Sequence, residues 1–292
     1  MLYNDIIITG NRAIAKSYAK INLSLDVLGR LENGYHEVEM VMQSLSLFDL
    51  VIVDKARYGI RLSTNCKFLP NDEKNIAYKA AKAFYDTTGI EGGVKILIHK
   101  NIPVAAGLAG GSGNAAAVLC AMNLLYNSPL SDAELLELGL SLGADVPYCI
   151  MGGTKLAKGI GEKISDLPAM KKVPVLLVKP QEGISTAEIY NAIDTAENLS
   201  HPDAAKIIEA ISEGDIEKLC KNMGNIMETV TAKKNKNVMS IKEQMLSLGA
   251  TGSIMSGSGP TVFGIFPDVS IAKKAHDHFS RKYRDTFLTS TI

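Results

Sequence analysis

The chain has 292 residues, 46% of them hydrophobic, enough for one large or two medium domains with a proper core. Thirty-one Lys and Arg balance 31 Asp and Glu, so no basic excess points to nucleic acid and no cationic block to an anionic membrane. No apolar run approaches the roughly 20 residues of a bilayer span, the first residues lack the pattern of a secretion signal, and Cys66, Cys120, Cys149 and Cys220 form no C-x-x-C pair for zinc. The expectation is a cytoplasmic protein with reduced thiols.

Ala19–Leu28 and Glu37–Val53 hold strand-like apolar runs around the polar turn Arg30-Leu-Glu-Asn-Gly34. Asn75–Tyr85 reads as a helix with Ile76, Ala80 and Phe84 on one stripe. Val94–Ile98 is β-branched and reads as a buried strand, and Ala115–Tyr126, rich in Ala and Leu, as a helix. Ser131-Asp-Ala-Glu134 is a capping box for a helix to Leu142, with Gly143 as its C′ residue. Gly152–Lys172, rich in Gly, Lys and Pro, is expected to carry the chain between domains. Val173–Val178 is then a strand, and Ser185-Thr-Ala-Glu188 a second capping box for a helix to Ile193. Asp203–Ile211, Asp215–Met223 and Asn237–Leu248 look helical, with Gly249 as a stop. Thr261–Phe266 is a strand, Ile271–Arg281 a helix and Thr286–Ser290 a last strand. This mosaic predicts an α+β protein of two domains, residues 1–160 and 161–292.

The richest segment is Pro103-Val-Ala-Ala-Gly107-Leu-Ala-Gly110-Gly111-Ser112-Gly113-Asn114, with four glycines between a strand and a helix. Glycines before a helix N-terminus expose backbone N–H groups at the positive end of the helix dipole, which is the chemistry of an anion site. A Walker loop is excluded, because Asn114 and Ala115 follow Gly113 where Lys-Ser or Lys-Thr is required. A dinucleotide loop fits Gly111-Ser-Gly113-Asn-Ala-Ala116, but Pro103 separates the strand from the glycines and a second helix follows the first. A tight turn of small residues, serving packing alone, stays open.

The order Pro103-x-x-x-Gly107-Leu108-x-Gly110-Gly111-Ser112 resembles the ATP-binding loop of the GHMP kinases. Ala19-Lys20-Ile-Asn22-Leu-Ser-Leu25, Gly34-Tyr35-His36, Gly143-Ala-Asp145-Val-Pro147 and Met255-Ser-Gly257-Ser-Gly259-Pro-Thr-Val-Phe263 complete the resemblance, which runs from about Ala15 to Phe266. It implies a two-domain α+β GHMP kinase fold with the active site in the cleft between the domains. It also implies ATP as the phosphoryl donor, bound by Pro103, Val104, Ala105, Ala106, Gly107, Leu108, Ala109, Gly110, Gly111, Ser112 and Gly113, with Asn75 and Lys100 near the nucleotide. Mg²⁺ accompanies ATP near Ser112; no metal site of the protein's own is expected.

By the same resemblance, Asp145 takes the proton from the acceptor hydroxyl, and Lys20 keeps that aspartate ionised and orients the acceptor. By position alone Asp145 equally starts a turn or caps a helix, and Lys20 equally reaches water from a strand edge. Asn22 shares the strand face of Lys20 and binds the sugar alcohol. Tyr35 stacks a cytosine, His36 meets its edge, Tyr190 closes its other face and Thr186 touches substrate; Gly257, Ser258 and Gly259 lie beside its phosphate. From spacing alone Tyr35 and His36 are equally a plain loop pair, and Gly257–Gly259 a plain turn. His276 and His278 lie on different faces of a helix and read as surface residues.

The implied reaction is phosphorylation of the C2 hydroxyl of 4-diphosphocytidyl-2-C-methyl-D-erythritol, on the non-mevalonate route to isopentenyl diphosphate. Another small-molecule kinase of the family, or a catalytically silent nucleotide sensor on the same fold, stays open, as does monomer against homodimer. Three departures stand out. Gly113 stands where the family loop usually has Ser or Ala, so any second hydroxyl is missing, which is expected to alter ATP affinity; Tyr190 stands where phenylalanine is common; and Met1–Ala13 precedes the usual start.

Overall fold

A computed structural model describes residues 5–32, 34–182, 185–196 and 199–292. Of the early segment Met1–Ala13, the first four residues lie outside these, as does Asn33 of the polar turn. Contacts divide the chain into two compact units. The first takes the residues up to Ala19 with Phe48–Val104 and Ala109–Gly152; the second takes Lys20–Leu47, Ala105–Leu108 and Gly153–Ile292.

In the first unit, β1 (Ile7–Thr9) pairs antiparallel with the start of β2 (Arg12–Arg30). Along that start Ala13, Ala15 and Ser17 are buried at period two, so one face lies on the core. The end of β3 (His36–Ala56) pairs antiparallel with β5 (Gly93–His99), which pairs in parallel with β4 (Gly59–Thr64). Between β4 and β5 runs α1 (Ile76–Thr88), where the Asn75 side chain accepts from Ala77 N and Ala77, Ala80, Ala81 and Phe84 form the buried stripe. The core of the unit is α2 (Gly110–Leu125), buried from Gly113 to Asn123 and packed against α1. α2 is apolar on all faces, as a central helix must be. It starts five residues before the apolar run begins, so Gly110, Gly111 and Gly113 lie inside its first turn.

α3 (Asp132–Leu142) opens on the expected reciprocal capping box of Ser131 and Glu134, and ends at Gly143, whose φ of 167° is extended rather than left-handed. α4 (Asp145–Met151) was not legible in the sequence, because Gly143 and Pro147 suggest a turn. Pro147 is its third residue, where the missing N–H has no helical partner to lose.

Gly152–Lys172, which from Gly153 on belongs to the second unit, is not the expected connector. It carries a hairpin of β6 (Thr154–Gly159) and β7 (Lys163–Asp166), and β6 pairs antiparallel with β3 from Val38 to Gln43. Its lysines pair with carboxylates, Lys155 with Asp166 and Lys158 with Glu39, while Thr154 and Ala157 are buried. β8 (Pro174–Lys179) follows, then α5 (Thr186–Ile193), α6 (Ala204–Glu213), α7 (Ile216–Asn222), the short β9 (Gly224–Asn225), α8 (Ile226–Lys234) and α9 (Lys236–Ser247). The chain ends with β10 (Gly252–Met255), β11 (Val262–Ile265), α10 (Val269–Phe279) and β12 (Asp285–Ser290). The last strands and β8 form an antiparallel sheet in the order β10-β11-β8-β12, on which α9 and α10 pack. α8 has no apolar stripe, since Glu228 and Thr231 are buried beside Ile226 and Met227, so no helical period announces it.

All four cysteines are free thiols. Cys120, Cys149 and Cys220 are buried, and burial together with Glu217 pushes the Cys220 thiol up to about 12. In native protein at pH 8, iodoacetamide is expected to modify the half-buried Cys66 first and the other three only after denaturation. Labelling of Cys220 at the rate of Cys66, read by peptide mass spectrometry, would contradict this packing.

Candidate active site

The glycine-rich segment bends through left-handed backbone at Ala105 (φ 50°), Gly107 (φ 72°) and Ala109 (φ 54°). Ala109 is the N-cap of α2 and gives no side-chain cap, so the first N–H groups of the helix take no side-chain acceptor from that position. Among the described residues, the half-buried Ser112 hydroxyl has no hydrogen-bond partner. An uncapped first turn with a spare hydroxyl suits a phosphate oxygen or a hydrated cation carried by one.

Beneath this turn lies a buried polar knot. Lys100 Nζ donates to Asp49 Oδ2 and, at 3.1 Å, to Asn114 Oδ1. Asp49 Oδ1 accepts the backbone N–H groups of Asn101 (2.7 Å) and Ile102 (2.8 Å), and Oδ2 also accepts from Asn114 Nδ2 (2.8 Å). Asn114 Nδ2 reaches Ser17 Oγ at 3.1 Å. Asp49 has no exposed side-chain surface and Lys100 only 6%. Lys100, expected near the nucleotide, is thus engaged under the loop. Asn75 is engaged likewise, capping α1 and donating from Nδ2 to Pro70 O at 2.9 Å.

Gly113 has a steric cause. A Cβ there would stand 2.6 Å from Ser17 Oγ and 3.4 Å from Tyr18 O. The Ser17 hydroxyl therefore occupies the space a residue 113 side chain would need. The sequence could not show this, since the two positions are far apart along the chain.

Asp145 is the first residue of α4, one position past the N-cap Ala144. Val146, Pro147 and Tyr148 are buried behind it, and Gly139 of α3 lets Val146 and Ile150 approach closely. This backing fixes the helix that carries the carboxylate. Asp145 belongs to the first unit and Lys20 to the second.

In the second unit several expected site residues come together. Lys20 Nζ donates to Asn22 Oδ1 at 2.7 Å, on the one face that period two assigns them, and both side chains are buried. The Lys20 N–H bonds Leu108 O at 3.2 Å, which seats residues 105–108 beside β2. A Cβ on Gly107 would overlap the Ser256 carbonyl, and Ser256 Oγ donates to Gly107 O at 3.0 Å. A Cβ on Gly257 would stand 3.4 Å from Asn22 Oδ1. Thr186, at the start of α5, bonds Ser258 through their hydroxyls at 2.9 Å. Lys20, Asn22, Gly107, Gly257 and Ser258 with Thr186 therefore form one constellation.

Two residues without a sequence signal hold it. Asn225 Nδ2 donates to both Met255 O and Gly257 O at 2.8 Å, and buried Glu228 accepts from Met255 N at 2.7 Å while paired with Lys242. Near the other end of α5, His36 stacks on Tyr190, ring centroids 4.5 Å apart and 20° from parallel. Its Nε2 lies 2.6 Å from Asp194 Oδ1, and Tyr35 is 61% exposed. The aromatic pair is thus His36–Tyr190, with Tyr35 at the surface. His276 and His278 lie near the end of α10, away from any cluster of metal-ligand type among the described residues.

Residues 75–153 match the description "GHMP kinases N terminal domain", and residues 207–285 match "GHMP kinases C terminal". A protein of Clostridium novyi called 4-diphosphocytidyl-2-C-methyl-D-erythritol kinase is 49% identical over 95% of this chain and 99% of its own. One of Clostridium botulinum (strain Eklund 17B / Type B) with the same name is 50% identical with the same coverage. The chain belongs to the GHMP kinase family. A crystal structure of 4-(cytidine 5'-diphospho)-2C-methyl-D-erythritol kinase superposes with a TM-score of 0.83 at 30% identity, covering 95% of this chain and 98% of that one. A homoserine kinase from Cytophaga hutchinsonii shares the fold alone, with a TM-score of 0.79 at 19% identity.

This GHMP kinase tests its loop packing in two ways. Gly113→Ala should cost about 1–3 kcal/mol by overpacking, and Ser17→Ala in the same chain should recover part of that loss. Additive losses in a double-mutant cycle of urea unfolding would refute the contact. Lys100→Met should cost about 3–5 kcal/mol, because it leaves Asp49 buried without its cation. Unchanged stability with a raised KM for ATP would make Lys100 a nucleotide ligand instead.

Proposed function

We propose that the protein transfers the γ-phosphoryl group of ATP to the C2 hydroxyl of 4-diphosphocytidyl-2-C-methyl-D-erythritol, giving the 2-phosphate and ADP in the non-mevalonate route to isopentenyl diphosphate. One observation carries the choice of substrate. In its second unit the chain has a stacked His36–Tyr190 pair with Tyr35 exposed next to His36 in sequence, aromatic faces suited to a flat base, which a kinase of bare sugar alcohols or amino acids does not need. Similarity to the clostridial kinases over nearly the whole chain supports the same reading.

In this mechanism residues Pro103–Gly113 and the first N–H groups of α2 hold the ATP phosphates, with the Ser112 hydroxyl on a phosphate oxygen or on Mg²⁺. Mg²⁺ bound with ATP would supply positive charge against the phosphates, with Ser112 the residue placed to hold it. Lys100 braces the helix side of the loop through Asn114, and Asn75 stands near the nucleotide. Asp145 accepts the proton of the C2 hydroxyl as its oxygen bonds to the γ-phosphorus and the bond to the β-phosphate oxygen breaks, releasing ADP. Lys20, held by Asn22, supplies positive charge near the acceptor, and Asn22 binds the sugar alcohol. Tyr35, His36 and Tyr190 hold the cytosine, and Thr186 with Gly257, Ser258 and Gly259 lines the substrate phosphate. No covalent phosphoenzyme is needed, because transfer between two positioned substrates relies on proximity and charge.

We assign the N-terminal kinase domain to residues 1–160 and the C-terminal domain to 161–292, and infer a cytoplasmic monomer or homodimer. No described helix is long and apolar enough to cross a membrane. A silent sensor drew its support from Gly113, and the steric demand of Ser17 removes it.

The test is ADP release from Mg-ATP with the cytidyl-methylerythritol substrate. Asp145→Asn should lower kcat about 10²–10⁴-fold while cytidine nucleotide affinity stays unchanged. Robust turnover in this variant would remove Asp145 as the proton acceptor. A folded, ATP-binding wild type without turnover would remove the substrate.

A further inference from the structure

Asp194 is the C-cap of α5, one turn beyond Tyr190. Residues four apart share a helix face, and here both meet His36. Tyr190 stacks on the imidazole and Asp194 Oδ1 lies 2.6 Å from its Nε2. Arg30 Nη1 stands 3.5 Å from the other carboxylate oxygen, Oδ2. The His36 side chain is 9% exposed, so two neighbours of one helix set its ring plane and its hydrogen bond.

A carboxylate only accepts, so His36 Nε2 carries the proton of this bond. In a neutral imidazole the second nitrogen, Nδ1, is then an acceptor. An acceptor suits the exocyclic amino group of a 4-aminopyrimidine and opposes the carbonyl oxygen of a 4-oxopyrimidine. We propose that Asp194 is a specificity-determining positioning residue. It holds His36 as the Nε2–H tautomer, flat against Tyr190, so that Nδ1 selects cytosine over uracil. Arg30 steadies the carboxylate from outside. This inference rests on the reading of Tyr35, His36 and Tyr190 as the base site, and adds to it the group that chooses between bases.

The experiment compares the full chain with Asp194→Ala and Asp194→Glu. Calorimetry measures affinity for CDP and UDP, steady-state kinetics measures KM for ATP, and ¹⁵N spectra of histidine-labelled protein report the tautomer of His36, assigned with His36→Ala. Wild type should prefer CDP about 10–100-fold and show a protonated Nε2 beside an unprotonated Nδ1. Asp194→Ala should lose about tenfold or more of that preference and mix its tautomers, with KM for ATP unchanged, and Asp194→Glu should restore part of both. A preserved CDP-to-UDP ratio in Asp194→Ala, or a wild-type ring protonated on Nδ1, overturns this inference alone. Wild type that binds neither nucleotide overturns the base site and this inference with it.

Discussion

A carboxylate with no exposed surface must find donors for both oxygens or forfeit its burial. Asp49 finds four: two consecutive backbone N–H groups at Asn101 and Ile102, the Lys100 amine and the Asn114 amide. Ile102 immediately precedes the glycine-rich segment and Asn114 immediately follows it. Both stems of the glycine-rich loop are therefore tied to one side chain on β3, and the span the loop must bridge is set by that side chain rather than by its own residues.

The second unit meets a comparable demand with close backbone approach. Gly107 and Gly257 let residues 105–108 and 256–259 lie against each other, and Asn225 and Glu228 hold the second stretch by its backbone. Lys20 enters this arrangement twice, through its N–H to Leu108 and its amine to Asn22. Small residues here keep side chains out of the space between polar groups, which is a reason for glycine distinct from turn-making.

Periodicity and caps made much of the fold legible. α1 showed its stripe of Ala80 and Phe84, α3 its capping box, and the Lys20–Asn22 contact follows from period two along β2. The β6–β7 hairpin hid behind its lysines, α4 behind Pro147, and α8 behind buried polar residues that break any apolar stripe. For the site, spacing indicated anion chemistry at the glycine loop, and the roles of Asp145, Tyr35 and His36 came only through family resemblance. Ser17, Asp49, Asn225 and Asp194 were silent, because each acts on a partner distant in sequence, as Asp194 does on His36 across 158 positions.

Ala105 and Ala109 adopt left-handed backbone although neither is glycine. Such residues cost of order 1 kcal/mol or more each, and persist only where surrounding structure dictates them. A loop held in this shape by its stems and neighbours is ordered before any anion arrives. Its entropy of ordering then belongs to folding and not to binding, so any ligand it receives would keep more of its gross interaction energy as affinity. The loop acts as a rigid mould, and its fit is decided when the chain folds.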